Sequence, residues 1–498
     1  MRFWLPSTFF TWHRLLKILT CCWGLMIALA FSGCASDRTT LTDKHPPLSE
    51  KKLLKHWQHV SKEPTISPSS SGALTVDRVI SEALRASPEL EQIRQRIQAA
   101  AEQVRQADAS FYPRLVASER FNSTNNPVYA LMNIINQRRL RSDVNFNDPG
   151  SQQDFATRIR ADWSLFEGGS RYYGRQAAAG FEESLKAELM AARNQMVAKV
   201  VETYYHWLQA MGFIGVAQKA LASADTDVRL AEARLKAEMA LPSEIMRLKA
   251  HRAEMHGNLV TARTGARRLQ AALERFLARP IHKEEIPDPA VHPPSATPEE
   301  GPGEADALVA QAITARPELA SVRALIDAAQ KRIQAARGGF LPRLGMGAEY
   351  QWNTETFSEM EGSWLVGIEA TWSLFEGGAT LSKIREARVR LKEIEARGEQ
   401  MALDIALEVH QATLAVKETA EKIQVADERR KWAEKALQDV QRLYRNQMTT
   451  VDSLLQSEVA FNQADVSYTA ALYEGRIAQV LLRQTLGDFA DWTEEKHG

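Results

Sequence analysis

His251 and His256 stand five residues apart in a stretch rich in Ala, Leu, Glu and Arg. On a helix that spacing turns the two rings to different faces, whereas a shared metal needs them on one. They read as exposed helical histidines. Asp225 and Asp227 flank a single threonine in a similar stretch and read as solvated carboxylates. The sequence contains no glycine-rich phosphate cradle, no nucleophile elbow and no cysteine placed as a nucleophile. Catalysis, a metal site and a diffusible cofactor are therefore not expected.

The thiol with evident chemistry is Cys34. Arg2, Arg14 and Lys17 precede an apolar core from Ile18 to Ala30, followed by Phe31-Ser32-Gly33-Cys34. That order reads as an export signal over residues 1–33. Cys21 and Cys22 would leave with it, so the mature chain keeps Cys34 alone and no disulfide framework is possible. Ser32-Gly33-Cys34 resembles a bacterial lipoprotein box, with Phe31 where leucine is usual. The resemblance implies a covalent lipid on Cys34, and Ala35 after it implies sorting to the outer membrane. An ordinary secretory signal with an incidental cysteine is the alternative. Residues 34–72, ending in Ser67-Pro68-Ser69-Ser70-Ser71-Gly72, read as a flexible tether.

What must the rest of the chain build? Basic and acidic residues balance at 62 each, which gives no electrostatic case for a nucleic-acid partner. Mean hydropathy is −0.33, and no run of about twenty apolar residues follows the N-terminal segment, so a helical membrane protein is excluded. Trp-Ser-Leu-Phe-Glu-Gly-Gly occurs twice, at Trp163–Gly169 and Trp372–Gly378. Its flanks repeat as well: Pro88-Glu89-Leu90 and Pro113-Arg114-Leu115 upstream of the first copy, Pro317-Glu318-Leu319 and Pro342-Arg343-Leu344 upstream of the second. The chain reads as an internal duplication of helix, strand, strand, helix. The first repeat covers 73–278 and the second 305–490, with a linker at 279–304 and a tail at 491–498.

Each motif ends a strand and opens a helix. Phe155, Thr157, Ile159, Ala161, Trp163 and Leu165 alternate with Arg158, Arg160, Asp162 and Ser164, and Trp364, Val366, Ile368, Ala370, Trp372 and Leu374 repeat the pattern. A period of two predicts strands. Gly168-Gly169 and Gly377-Gly378 supply the backbone freedom for a sharp strand-to-helix junction. Trp163, Trp352, Trp364 and Trp372 lie on apolar faces near strand ends, resembling the aromatic girdle of an outer-membrane barrel. Helices are expected at 75–109, at 170 to about 236 with a return to about 277, at 305–337, and at 379 to about 445 with a return to about 486. Helices of that length must pack laterally, and their many alanines permit close approach.

Four strands cannot close a barrel, for which about eight are the practical minimum. An open sheet would leave unpaired edges in lipid, and oligomerisation removes the conflict. The duplicated units, the Ser-Leu-Phe-Glu-Gly-Gly junctions and the turns between long helices resemble the TolC-like outer-membrane efflux proteins over about residues 73–490. The resemblance implies a mainly α chain with a small β part. It implies a homotrimer with a twelve-stranded outer-membrane barrel, four strands per chain, continuous with a long α-helical coiled-coil tunnel in the periplasm. It further implies a passive exit duct whose tips dock on a periplasmic adaptor and an energised inner-membrane pump.

Those tips fall at Glu238, Met239, Ala240, Leu241, Pro242 and Ser243, and at Asn446, Gln447, Met448, Thr449 and Thr450. The family's turns hold a glycine about four residues after an arginine, positions occupied here by Glu238 and Asn446. Glutamate tolerates the left-handed conformation poorly, so the first tip is expected to depart in shape. Glu244 and Asp452 match positions that line or brace the closed tunnel end, with Arg442 and Arg445 the nearest bases. Leu455 stands where a second acidic ring would be. A lipid-anchored periplasmic spacer or adhesin without a channel is the alternative function, but it has no need of tryptophan-rich strands placed identically in both halves.

Overall fold

The computed structural model describes residues 73–287, 304–356 and 360–487. The export signal, the tether with Cys34, most of the linker and the C-terminal tail lie outside these residues. Helix α1 (Val76–Ala86) is capped by the Thr75 hydroxyl, and α2 (Pro88–Ala109) by Ser87. The single helix expected over 75–109 is thus two. Pro88 forces Ser87 out of helical geometry (φ −72°, ψ 115°), and Ser87 then caps the second piece.

The strands β1 (Arg114–Thr124) and β2 (Gln152–Glu167) follow, and between them stands a helix, α3 (Pro127–Asn136). Sequence periodicity does not predict α3, although Asn126 caps it and Pro127 opens it. Then come α4 (Ser170–Lys236) and α5 (Pro242–Leu277), the first long hairpin. The second half has α6 (Ala305–Ala315), α7 (Pro317–Arg337), β3 (Arg343–Thr354), β4 (Glu361–Thr371), α8 (Ala379–Arg445) and α9 (Val451–Thr485). Pro317 breaks the helix expected over 305–337, as Pro88 breaks the first. Both α4 and α8 have 67 residues, on the order of 100 Å each.

The four strands form one antiparallel meander, β1-β2-β3-β4. Its register stacks Ala117, Ile159, Tyr350 and Trp364 across one face, with Leu115, Ala161, Ala348 and Val366 beside them. The opposite face carries Ser118, Arg158, Gln351 and Ser363. One bulge between Ser164 and Phe166 pairs Phe166 with Leu344, so Phe166 and not Leu165 continues the apolar row after Trp163. Trp372 and Leu374, expected in the last strand, lie beyond the end of β4. The equivalent end of β2 is held as strand by Leu344 and Arg343. Among the described residues, nothing pairs the stretch after Thr371.

Helix α4 is the hub, packed by α2, α5, α7 and α9. The largest core cluster joins Leu74, Val79, Leu90, Val200, Val201, Trp207, Leu273 and Tyr473. Within it the Tyr204 hydroxyl donates to the Leu74 carbonyl at 2.8 Å. The linker expected from 279 begins with an anchored segment. Arg279 is buried and bonds Glu82 and Glu285, and a short 3-10 turn spans Lys283–Glu285.

Candidate functional site

The two strand-to-helix junctions share one backbone shape. Gly168 and Gly169 have φ of 63° and 82°, Gly377 and Gly378 of 60° and 85°. Such a left-handed pair turns the chain from strand into helix within two residues, at a strain that glycine avoids. In each copy the motif tryptophan donates its indole N–H to the phenylalanine carbonyl before the upstream strand: Trp163 to Phe111 at 2.9 Å, Trp372 to Phe340 at 3.0 Å. The surroundings differ. A Cβ on Gly168 would stand 2.2 Å from the Gly338 carbonyl oxygen, and Ser170 donates to Ala335 at 2.7 Å. A Cβ on Gly377 meets nothing within 4 Å. Gly168 is packed inside the chain, whereas Gly377 is open among the described residues.

The four tryptophans divide between the two ends of the sheet. Trp163 and Trp372 lie at the helix end, whereas Trp352 and Trp364 lie toward the loops, with Tyr350 and Trp352 in ring contact at 4.5 Å. Met346, which pairs with Trp163, is six residues from Trp352 on β3, about 20 Å at strand rise. Trp364, Val366 and Ile368 on this face are exposed in the single chain. The other face is polar. Arg158 pairs with Glu349 at 3.0 Å and bonds Gln351, and Arg160 pairs with Asp162 at 2.8 Å. Helix α3 packs at the loop end of this polar face. Asn133 donates to Asn122 and Gln137 to buried Asp154, which also accepts from Asn353. Arg138 and Arg139 then reach Glu361 and Glu355 at the loop ends of β4 and β3.

At the opposite extremity the two tips have the same shape, contrary to expectation. The left-handed residues are Glu238 (φ 60°) and Gln447 (φ 59°), so the second falls on Gln447 rather than Asn446. Met239 N–H bonds the Arg234 carbonyl and Glu238 N–H that of Leu235; Met448 and Gln447 repeat both bonds to Leu443 and Tyr444. This is the Schellman closure, counted from the last helical residue and not from an arginine. Ala240, Leu241, Pro242 and Ser243 lead into α5, with Glu244 accepting from Leu241 N–H at 3.3 Å. Thr449 and Thr450 lead into α9, with Thr450 as its cap. Met239, Leu241 and Met448 are exposed. Glycine relieves the left-handed strain, worth about 1 kcal/mol per site. Glu238→Gly and Gln447→Gly should each slow amide exchange in the adjoining helix turn about fivefold, a gain checked by native-state hydrogen exchange.

Bases across the hairpins hold the tips. Arg234 donates to the carbonyls of Tyr444 (3.1 Å) and Arg445 (2.7 Å) and stacks over the Tyr444 ring, satisfying the end of α8. Asp452 accepts from Arg247 on α5 through both carboxylate oxygens, one at 2.6 Å. Arg442, expected beside it, pairs with Asp439 instead. Asp452 and Arg247 are both exposed.

A polar cluster above the tips corrects the sequence reading of His251 and Asp227 as exposed. His251 (α5), Glu458 (α9) and Asp227 (α4) are all buried, and Ser223 donates to Glu458 at 2.7 Å. His251 Nε2 lies 3.1 Å from Glu458 Oε2, close but not aligned as a hydrogen bond. Burial, then the adjoining Glu458, pushes the Asp227 carboxyl up to about 7. The contact with Glu458 raises His251 against the opposing effect of burial. Burial alone would raise Glu458, but the adjoining His251 and Asp227 and the bond from Ser223 hold it low. His251 shares its buried face with Ile245, Leu248, Met255 and Leu259, at helical intervals, a signal present in the sequence.

The sequence profile of outer membrane efflux proteins matches residues 79–237 and 308–488, more than half the chain. The pyoverdine export outer membrane protein OpmQ of Pseudomonas putida is 23% identical over 369 residues, 70% of this chain and 75% of that one. Among solved structures, a membrane protein from Pseudomonas aeruginosa superposes with a TM-score of 0.72 at 19% identity, over 86% of this chain and 98% of the other. The channel protein CusC gives 0.70 at 16% identity, covering 86% and 95%. An antiparallel four-stranded sheet on a mainly helical body, with a matched profile across both halves, leads to one conclusion: the chain belongs to the outer membrane efflux protein family, the TolC-like outer-membrane channels.

Proposed function

We propose that the chain is a duplicated unit, three copies of which close a twelve-stranded barrel continuous with a helical tunnel. The assembly is a passive outer-membrane exit duct, working with a periplasmic adaptor at the tips and an energised inner-membrane pump. The open space at Gly377 carries this reading. Within the chain, the end of β2 pairs with the start of β3, and Gly168 packs on Gly338. Among the described residues the same interlock is missing at β4 and Gly377, and a neighbouring copy supplies it through the start of its β1. Leu403, Leu407, Leu414, Val425 and Trp432 leave an exposed apolar stripe on α8 that the same neighbour covers.

The apolar face suits lipid, with tryptophans at both ends, and the polar face suits a water-filled lumen. Cys34 carries a lipid that adds a second anchor; Cys34→Ser leaves the precursor uncleaved. Three copies of Asp452, braced by Arg247, converge at the periplasmic mouth near Glu244. One relative is named for pyoverdine export, and alkaline protease secretion protein AprF of Pseudomonas aeruginosa is 35% identical over 86 residues, 16% of this chain and 18% of that one. The cargo is accordingly a small molecule or a polypeptide chosen by the pump.

The repeat fixes a register for the test. Ala161 pairs with Ala348, so Ala370 should oppose Glu119 of the neighbour. Ala370→Cys with Glu119→Cys should give disulfide-linked trimers on oxidation, and the trimer should conduct in planar bilayers. Asp452→Ala should weaken divalent-cation block of that current. Absent cross-links together with absent conductance would favour the spacer or adhesin.

A further inference from the structure

Where α4, α5 and α9 meet above the tips, two carboxyls and an imidazole share a largely buried space. Side-chain exposure is 6% for His251 and 3% for Glu458, and Asp227 is 9% exposed. One polar atom on each, Asp227 Oδ2, His251 Nε2 and Glu458 Oε2, has no aligned hydrogen-bond partner. The three groups come from three helices, and α9 belongs to the second hairpin while α4 and α5 form the first. Helices α5 and α9 touch over only a short stretch, where this cluster and the exposed Arg247–Asp452 pair stand beside the apolar contacts of Ile245, Leu248, Val451 and Leu454. Facing groups complete the environment: Glu254 Oε2 is 4.0 Å from His251 Nδ1, Ser223 donates to Glu458, and Arg445 and Tyr444 on α8 act on or lie near Asp227.

We infer that Asp227, His251 and Glu458 form a proton-binding clasp between the two hairpins, tight when Asp227 and His251 both hold a proton and loosened when they lose it. Buried space tolerates little net charge. Neutral Asp227, cationic His251 and anionic Glu458 sum to zero, and the Asp227 hydroxyl then has Glu458 as acceptor. Removing both protons leaves two buried carboxylates with no cation between them. Separation of the helices lets water reach them.

The sign follows from the direction of each shift. Asp227 sits above its ordinary 3.8 and His251 above its ordinary 6.5, so what they contribute is lost as pH rises through their folded values. Glu458 sits below 4.5, so its contribution is lost as pH falls. The clasp is therefore tightest in mild acid. With Asp227 near 7 when closed and 3.8 when open, closing weakens about tenfold between about pH 6 and about pH 8.

Hydrogen exchange on the full assembled protein, corrected for the intrinsic pH dependence of exchange, reads this directly and needs no channel activity. Protection of amides in 248–256 and 454–462 should fall about tenfold across that range, while core amides around Val200–Trp207 stay level. Asp227→Asn should hold protection at the mild-acid value, and Glu458→Gln, as a second variant, should make the fall smaller, because burial still raises Asp227. A flat wild-type profile, or an undiminished fall in both variants, overturns the clasp.

Discussion

Gly168→Ala is expected to prevent the chain from folding into its native bundle, whereas Gly377→Ala folds the chain and blocks its association. At Gly168 the new Cβ would sit 2.2 Å from the Gly338 carbonyl oxygen and 2.9 Å from its carbonyl carbon. These are backbone atoms at the start of a 3-10 turn, Gly338–Phe340, and cannot rotate away as a side-chain tip could. Left-handed strain of about 1–2 kcal/mol adds to overpacking of about 1–3 kcal/mol. At Gly377 the strain is alike but the space is open in the single chain. In the proposed trimer that space holds the neighbour's backbone near Ala109, the repeat partner of Gly338. Circular dichroism should show helix lost in the first variant and kept in the second, and sedimentation should find the second monomeric. A fully trimeric Gly377→Ala protein would refute the placement of the neighbour at this junction.

Arg279→Ala should cost about 3–5 kcal/mol, because it leaves buried carboxylates without their principal cation. Arg279 donates to Glu82 at 2.8 Å and grips both oxygens of Glu285 at 2.8 and 3.0 Å. Arg78 is the remaining base, bonded to Glu285 at 2.8 Å. Burial would raise Glu285, but Arg279 and the His282 N–H hold it below its ordinary 4.5. In the wild type this group contributes stability above 4.5 that is lost as pH falls through its lowered value. With Arg279 gone, burial prevails and protonation relieves the stranded charge, so acidification from about pH 7 to about pH 5 should stabilise the variant. The variant's thermal melt should therefore rise from about pH 7 to about pH 5, while this group leaves the wild type's unchanged over that range. A variant melting within a degree or two of wild type at neutral pH would show that the network is dispensable.

How far did the sequence lead? The strands, both 67-residue helices and the positions of both tips were legible, because a motif repeated with equal spacing carries length as well as type. Helix α3 was hidden by its shortness: ten residues hold too few turns for a period to emerge, though Asn126-Pro127 is a start signal. The left-handed residue at the second tip was misplaced by one, since helix closure is set by carbonyls seeking donors rather than by a neighbouring arginine. His251 and Glu458 were missed for another reason. Charged residues are rarely buried unless partnered, and their partners lie on other helices, which only tertiary packing brings together. The pairing of Asp452 with Arg247 is hidden for the same reason, since only packing brings α5 and α9 together.

Helix α3 closes one last circle. Its C-terminal arginines fasten it to Glu361 and Glu355 through exposed pairs, Arg138 to Glu361 at 3.2 Å. Exposed pairs weaken as electrolyte shortens the Debye length, from about 10 Å at 0.1 M to about 3 Å at 1 M. In the proposed barrel that fastening lies at the outer mouth, on the lumen side, so the brine used for recording becomes a variable of the mouth itself. Dilute medium holds α3 to the strand ends; concentrated medium slackens it. Conductance should then rise with salt more steeply than the bulk conductivity of the solution, and Arg138→Gln with Arg139→Gln should restore proportionality.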